Sequence, residues 1–148
     1  MTYRIFIDGA AGTTGLQVHD RLAAHPDVTA VTLDEAKRKD ASARQEMMAQ
    51  CDLTILCLPD DAARESAALA DAAGARVIDA SSAHRTADGW DFGFVELFDG
   101  ARETLATSRR ISNPGCYSTG FLALARPLVA AGIIAPDAPL TVPAVSGY

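Results

Sequence analysis

Short runs of β-branched and aliphatic residues alternate along the chain with longer stretches in which apolar positions recur every three or four residues. Residues 3–8 form the first short run and read as a buried strand. The next stretch sets Leu16, Val18, Leu22 and Ala23 on one side of a helix that stops before Pro26. Residues 28–33 make a second strand and 42–50 a short helix. Residues 53–58 are continuously apolar, as expected of a parallel strand buried on both faces. Asp60 or Asp61 is the expected cap of a helix over 62–73 that ends at Gly74. Residues 76–79 and 110–112 are further strands, with a turn or two of helix over 102–108 between them. Trp90, Phe92, Phe94 and Phe98 cluster in a loop and are expected to anchor it in the core. Phe121, Leu122, Leu124, Ala125, Leu128 and Val129 mark a last helix that ends near Gly132. The linker 136–139 follows, and 140–148 opens as a new strand. Strand and helix in regular alternation point to an α/β fold, a Rossmann-like doubly wound parallel sheet.

Composition narrows the function classes. Nearly half of the 148 residues are apolar and 22% are charged, as in a soluble globular protein. A net charge of −6 argues against nucleic acid or an anionic membrane as partner. No apolar run approaches a membrane span, and the first residues lack a signal-peptide pattern. Cys51, Cys57 and Cys116 are odd in number and far apart, with no Cys/His cluster. A disulfide framework and a metal site are therefore not expected, and a reducing cytoplasm fits best. Cys51 and Cys57 fall in or beside core segments and read as packing residues.

Three stretches carry chemistry. Gly9-Ala10-Ala11-Gly12-Thr13-Thr14-Gly15 joins the first strand to the first helix. In such a turn one glycine lets the chain close, another lets the backbone approach a pyrophosphate, and the last lets helix and strand pack. The phosphates then rest on the helix N-terminus, where Thr13 and Thr14 add hydroxyls and N–H groups. The tip of the second strand, which meets the adenosine ribose, reads Asp34-Glu35-Ala36-Lys37-Arg38-Lys39. An acid there holds the ribose hydroxyl of NAD, and a basic residue holds the 2′-phosphate of NADP. Both kinds are present; NADP is favoured, with Lys37 and Arg38 as contacts.

Asp79-Ala80-Ser81-Ser82-Ala83-His84-Arg85 leaves the carboxyl end of the fourth strand, where open α/β sheets bind ligands. Ser81, Ser82 and Arg85 suit an anionic substrate. The same residues also suit a plain polar loop in which Ser81 caps a turn and Asp79 pairs with Arg85. Asn113-Pro114-Gly115 forces a turn, which puts Cys116 at or just before the first turn of the last helix. Unpaired N–H groups and the helix dipole favour a thiolate there, hence a nucleophile. Most lone cysteines, in contrast, fill core gaps. His19 and His25 read as surface residues on or near the first helix.

With these stretches in view the chain resembles the N-acetyl-γ-glutamyl-phosphate reductases, short type, of the aspartate-semialdehyde-dehydrogenase superfamily. The resemblance rests on Phe6 to Gln17, Cys57-Leu58-Pro59-Asp60-Asp61-Ala62-Ala63, Val77 to Arg85, and Ser112-Asn113-Pro114-Gly115-Cys116-Tyr117. It implies NADPH-dependent reductive dephosphorylation of an acyl phosphate through a thioester on Cys116, in arginine biosynthesis. It also implies that Gly9, Gly12, Thr13, Thr14, Gly15, Lys37, Arg38 and Pro59 hold the cofactor. Asn113 and the Cys116 N–H are then oxyanion donors, and Ser81, Ser82 and Arg85 bind the substrate. Residues 1–139 are the expected dinucleotide-binding domain. Residues 140–148 would start a second, α+β substrate domain, with Ser146-Gly147 similar to its first strand. Family members are longer than this chain and form homo-oligomers. Their general acid/base histidine lies in the second half, and His84 does not match its position. The chain alone is therefore expected to be short of full activity. A sister reductase of aspartyl or aminoadipyl phosphate shares the same chemistry. A non-catalytic nucleotide-binding module would instead leave Cys116 unreactive.

Overall fold

A computed structural model describes residues 1–145. The elements alternate as the apolar pattern requires: β1 (Tyr3–Asp8), α1 (Thr13–Ala23), β2 (Val28–Val31), α2 (Ala41–Ala49), β3 (Leu53–Leu56), α3 (Asp60–Ala72), β4 (Val77–Asp79), β5 (Asp91–Phe92), α4 (Ala101–Thr107), β6 (Arg110–Ser112) and α5 (Cys116–Ala130). The six strands form one sheet in the order β2-β1-β3-β4-β6-β5, and every pair is parallel. The chain moves from β1 outward to β2, then crosses to the other side of β1 to form β3. That reversal opens a crevice beyond the carboxyl ends of β1 and β3.

Register sets the edge of the site. Asp8 pairs with Leu56, Leu56 with Asp79, and Asp79 with Ser112, so the last residues of four strands stand in one row. Each following loop starts with the same bond. Cys57 N–H donates to the Asp8 carbonyl (2.8 Å), Ala80 to Leu56 (3.0 Å), Asn113 to Asp79 (2.7 Å) and Gly93 to Ser112 (2.9 Å). Adjacent strands lie ~4.8 Å apart, so the row spans only ~14 Å from Asp8 to Ser112.

The core lies on the α2–α3 side of the sheet. Phe6, Leu56 and Val77 meet Met48 of α2 and the small residues Ala67 and Ala70 of α3. The buried positions of α3, Ala63, Ser66, Ala67 and Ala70, recur at helical spacing and present little more than methyl groups, which lets the helix sit close to the strands. The buried carboxylate of Asp8 is met from the same side. It accepts from Ser66 Oγ at 2.5 Å and from Arg44 Nε and Nη2 at 3.0 and 2.7 Å.

Several expectations need correction. β3 stops at Leu56, and only Thr54 and Leu56 are fully buried, so its other face is half covered. β2 likewise stops at Val31. The residue before α3 is Pro59, and neither aspartate caps it; Asp60 begins the helix and accepts from Ser82 instead. β5 arises inside the aromatic loop, where alternation over two residues is too short to read. Trp90 packs against the core from there, whereas Phe98 is exposed. α5 forms as expected, with Pro127 inside it and Gly132 at positive φ beyond its end, but none of its residues is buried. Tyr117, Phe121, Leu124 and Leu128 line an uncovered stripe, Leu124 being 73% exposed. Residues 140–145 are not a strand, and among the described residues no strand pairs with them; the Ser146-Gly147 expectation lies outside the described residues. Among the described residues no helix is long and apolar enough to cross a membrane.

Among the described residues one buried side-chain group is uncompensated. Thr54 Oγ1, at the centre of the sheet, has no hydrogen-bond partner. Thr54→Val keeps the shape and removes the orphaned hydroxyl, so it is expected to raise stability by about 1 kcal/mol. Chemical denaturation of both forms measures it, and the midpoint should rise at unchanged slope.

Candidate active site

The glycine turn occupies the crevice between β1 and β3. Gly9 has φ +91°, and a Cβ there would collide with the Cys57 carbonyl. A Cβ on Gly15 would collide with the Gly9 carbonyl as α1 leaves the turn. These two glycines are demanded by the chain's own packing. Gly12 is different. A Cβ there meets nothing closer than 3.6 Å, so space is left on the open side of the turn. Gly12 is also the N-terminal cap residue of α1, with no side-chain cap, and the first turn carries no acid. The free N–H groups of that turn therefore face the crevice with the positive end of the helix dipole.

A cleft of about 780 Å³ runs along this turn. Gly9, Ala10 and Gly12 form one wall and Leu58 and Pro59 another. Glu35, Arg38, Lys39 and Arg44 line it as well. Arg38 pairs with Glu35 at 3.0 Å. Lys37 does not line the cleft; Lys39 does. Arg44, which the sequence reading did not single out, enters from α2 and is held there by Asp8. Only the tertiary fold brings them together, although a lone aspartate ending an apolar strand is a signal that some cation must meet it. These features fit a dinucleotide: a phosphate cradle without side chains, an uncapped helix end, and cations lining the same cleft.

A second cleft, about 330 Å³, continues from Gly12, Thr13 and Thr14 past Cys57, Leu58 and Pro59 to Ala80. Cys57 is thus a lining residue of both clefts rather than a core one. Its thiol is pushed up to about 11, chiefly by burial and further by the charges of Asp8 and Asp79. Cys51 is half-buried against the core, and burial pushes its thiol up as well.

Beyond Ala80 the 81–85 loop is tied at successive residues. Ser81 donates to Asp79 from its N–H (2.9 Å) and hydroxyl (2.7 Å). Ser82 donates to Asp60 in the same two ways, at 3.1 and 2.7 Å. That hydroxyl bond is the main reason the Asp60 carboxyl lies below its ordinary value. Both serine protons are therefore committed to carboxylates. The alternative pairing of Asp79 with Arg85 does not occur, because the buried Asp79 carboxylate takes Ser81 and His84. Arg85 reaches the other way. Its Nε donates to the Asn113 carbonyl at 3.3 Å, and its Nη1 lies 2.7 Å from where a Gly115 Cβ would be. Gly115 thus leaves the room that the guanidinium fills.

Cys116 is the first residue of α5 and is exposed. It follows the Asn113–Gly115 turn directly, and Asn113 is exposed with it. β6 delivers this turn to the same edge as the glycine turn, two strands removed from β3. The structure therefore gathers Gly9, Gly12, Thr13, Thr14, Arg38 and Pro59 around two joined clefts, and Ser81, Ser82, Arg85, Asn113 and Cys116 on the neighbouring loops. Gly15 supports the turn from within α1. His84 is the buried member of the 81–85 loop, and His19 and His25 lie on α1 and just after it.

Comparison with known proteins bears on the fold and the family. A family model for the semialdehyde dehydrogenase NAD-binding domain matches residues 4–147. An N-acetyl-gamma-glutamyl-phosphate reductase of Nostoc sp. is 52% identical over 145 residues, which is 98% of this chain and 45% of that protein. One from Pseudomonas putida is 54% identical over 144 residues, 97% of this chain and 46% of its own. The chain thus spans about half the length of the curated relatives it matches. Among solved structures, aspartate semialdehyde dehydrogenase II from Vibrio cholerae aligns with a TM-score of 0.64 at 18% identity, over 88% of this chain and 47% of its own. The Candida albicans aspartate semialdehyde dehydrogenase, solved with NADP, gives the same TM-score at 15% identity over 88% of this chain and 48% of its own. These structures agree with the parallel sheet as a fold. With its glycine turn, its sheet order and a match over nearly every residue, the chain belongs to the semialdehyde dehydrogenase NAD-binding domain family.

Proposed function

We propose that this chain is the cofactor-binding and thiol-bearing part of an NADP-dependent reductase of N-acetyl-γ-glutamyl phosphate, a step of arginine biosynthesis. One observation carries the proposal: a phosphate-ready glycine turn and an exposed helix-initial cysteine leave the same edge of one sheet. The names of the relatives, at just over 50% identity, supply the substrate.

In this reading the Cys116 sulfur, as thiolate, attacks the carbonyl carbon of the acyl phosphate. A C–S bond forms, the bond from that carbon to the bridging oxygen breaks, and phosphate departs with the electron pair. Asn113 and the Cys116 N–H meet the charge that develops on the carbonyl oxygen. Arg85, seated on the cysteine turn, receives the phosphate, and Ser81 and Ser82 shape the loop around it. When bound, NADPH supplies the hydride that takes the resulting thioester to the aldehyde. As the aldehyde forms, the C–S bond breaks and its electron pair returns to the Cys116 sulfur as thiolate. Gly9, Gly12, Thr13 and Thr14 hold the cofactor's pyrophosphate and Pro59 lines the path between the clefts. Arg38 and Lys39 accept the 2′-phosphate, in place of Lys37. The whole protein is a cytoplasmic homo-oligomer acting on a small molecule.

The cysteines distinguish this enzyme from an inert nucleotide-binding module. At pH 7.5, iodoacetamide is expected to label Cys116 well ahead of Cys57, whose thiol titrates near 11. Peptide mapping by mass spectrometry reads the order, and slow labelling of Cys116 would sink the catalytic reading. Cofactor choice has its own test. Replacing Arg38 and Lys39 together by serine is expected to weaken NADPH binding roughly tenfold or more, the worth of losing a charged hydrogen bond. NADH binding should change little; calorimetric titration of both cofactors measures the contrast.

A further inference from the structure

His84 is a buried imidazole that the reaction above does not use. It is held on two sides. Its Nδ1 lies 2.6 Å from Asp79 Oδ2, and its ring stacks on Trp90 with centroids 4.0 Å apart and planes 11° from parallel. Asp79 is wholly buried and ends β4 in the row that sets the site's edge. A carboxylate only accepts, so the Nδ1 bears the proton. Trp90 stands immediately before β5, whose next residues pair with the two that precede the cysteine turn: Asp91 with Ile111 and Phe92 with Ser112. A clamp therefore runs from β4 through His84 to Trp90 and on to β6.

The residue after His84 is Arg85. Its guanidinium forms no ion pair among the described residues, although Asp60 is near enough to feel its charge, and it rests on carbonyl oxygens of Asn113 and Ala80, at 3.3 and 3.5 Å. Such long bonds are too weak to place a flexible side chain by themselves. Its location depends on where the loop backbone delivers its Cα. We propose that His84 is a positioning residue: clamped between Asp79 and Trp90, it fixes the 81–85 backbone so that the Arg85 guanidinium lies on the turn before Cys116. Ser81 and Ser82 tie the first half of the loop to Asp79 and Asp60, and Arg64 Nη1 donates to the Ala83 carbonyl at 3.0 Å. His84 is the side-chain tie nearest to Arg85. An aliphatic residue would fill the space but hold neither Asp79 nor the indole face.

This inference rests on the proposed role of Arg85, and one experiment separates the two. Cys116 of the intact chain is alkylated with iodoacetate, an anion, and with iodoacetamide, its neutral analogue, and the rates are read on the Cys116 peptide. A guanidinium held at the turn raises the ratio of the two rates. Arg85→Gln is expected to lower that ratio roughly fivefold, as loss of one nearby charge should. His84→Phe, which keeps a ring against Trp90 but cannot donate to Asp79, is expected to lower it comparably although Arg85 is present. His84→Asn, which restores a donor, should recover part of it. A wild-type ratio in His84→Phe beside a reduced one in Arg85→Gln overturns the positioning role and leaves the Arg85 reading intact. An undiminished ratio in Arg85→Gln overturns that reading, and the inference with it. If His84→Phe does not fold, His84→Asn and Trp90→Leu decide, and a wild-type ratio in both overturns the proposal.

Discussion

Parallel pairing in register makes four strands end together, and the site follows from that constraint. Asp8, Leu56, Asp79 and Ser112 stand side by side, and each neighbour's carbonyl takes the first N–H of the next loop. A strand that ran on past this row would lift its loop out of reach of the others. The slanted bonds of a parallel ladder give every strand the same direction, so every connection that can carry chemistry leaves on one side. A glycine-turn cleft and a cysteine far apart in the chain leave the same end of the sheet for this reason.

Two members of that row are buried aspartates, which is costly unless every oxygen has a partner. The fold turns the requirement into structure. Asp8 draws Arg44 from α2 and Ser66 from α3, which ties two helices to the end of β1 and brings a guanidinium to the cleft. Asp79 draws Ser81 and His84, which curls the following loop back over its own strand. Thr54 shows the opposite case, a buried hydroxyl for which the sheet offers nothing.

The same carboxylates separate the thiols. Cys57 lies between Asp8 and Asp79 and is half-buried, so both burial and charge oppose its ionisation. Cys116 is exposed, opens a helix and has Arg85 against the glycine before it. Residue type is identical in the two places; the surroundings differ.

Local physics was legible in the residues alone. Alternating apolar periods announced a parallel α/β sheet, Gly9 to Gly15 announced a tight turn between strand and helix, and Asn113-Pro114-Gly115 announced a helix beginning at or just after Cys116. Each of these depends on backbone conformation and near neighbours, which a short window contains. Partner choice was not legible. That Asp79 would take His84 rather than Arg85, that Asp60 would take Ser82 rather than cap α3, that Arg44 would reach Asp8, and that Lys39 would line the cleft in place of Lys37 all depend on which groups the packed sheet brings within hydrogen-bond reach. The pattern likewise marked the apolar stripe of α5 without saying what it meets. Sequence determined which elements form and where chemistry is possible; tertiary structure decided which charges meet, because a hydrogen bond is settled by distances of a few tenths of an ångström, which the packed fold sets and sequence separation does not.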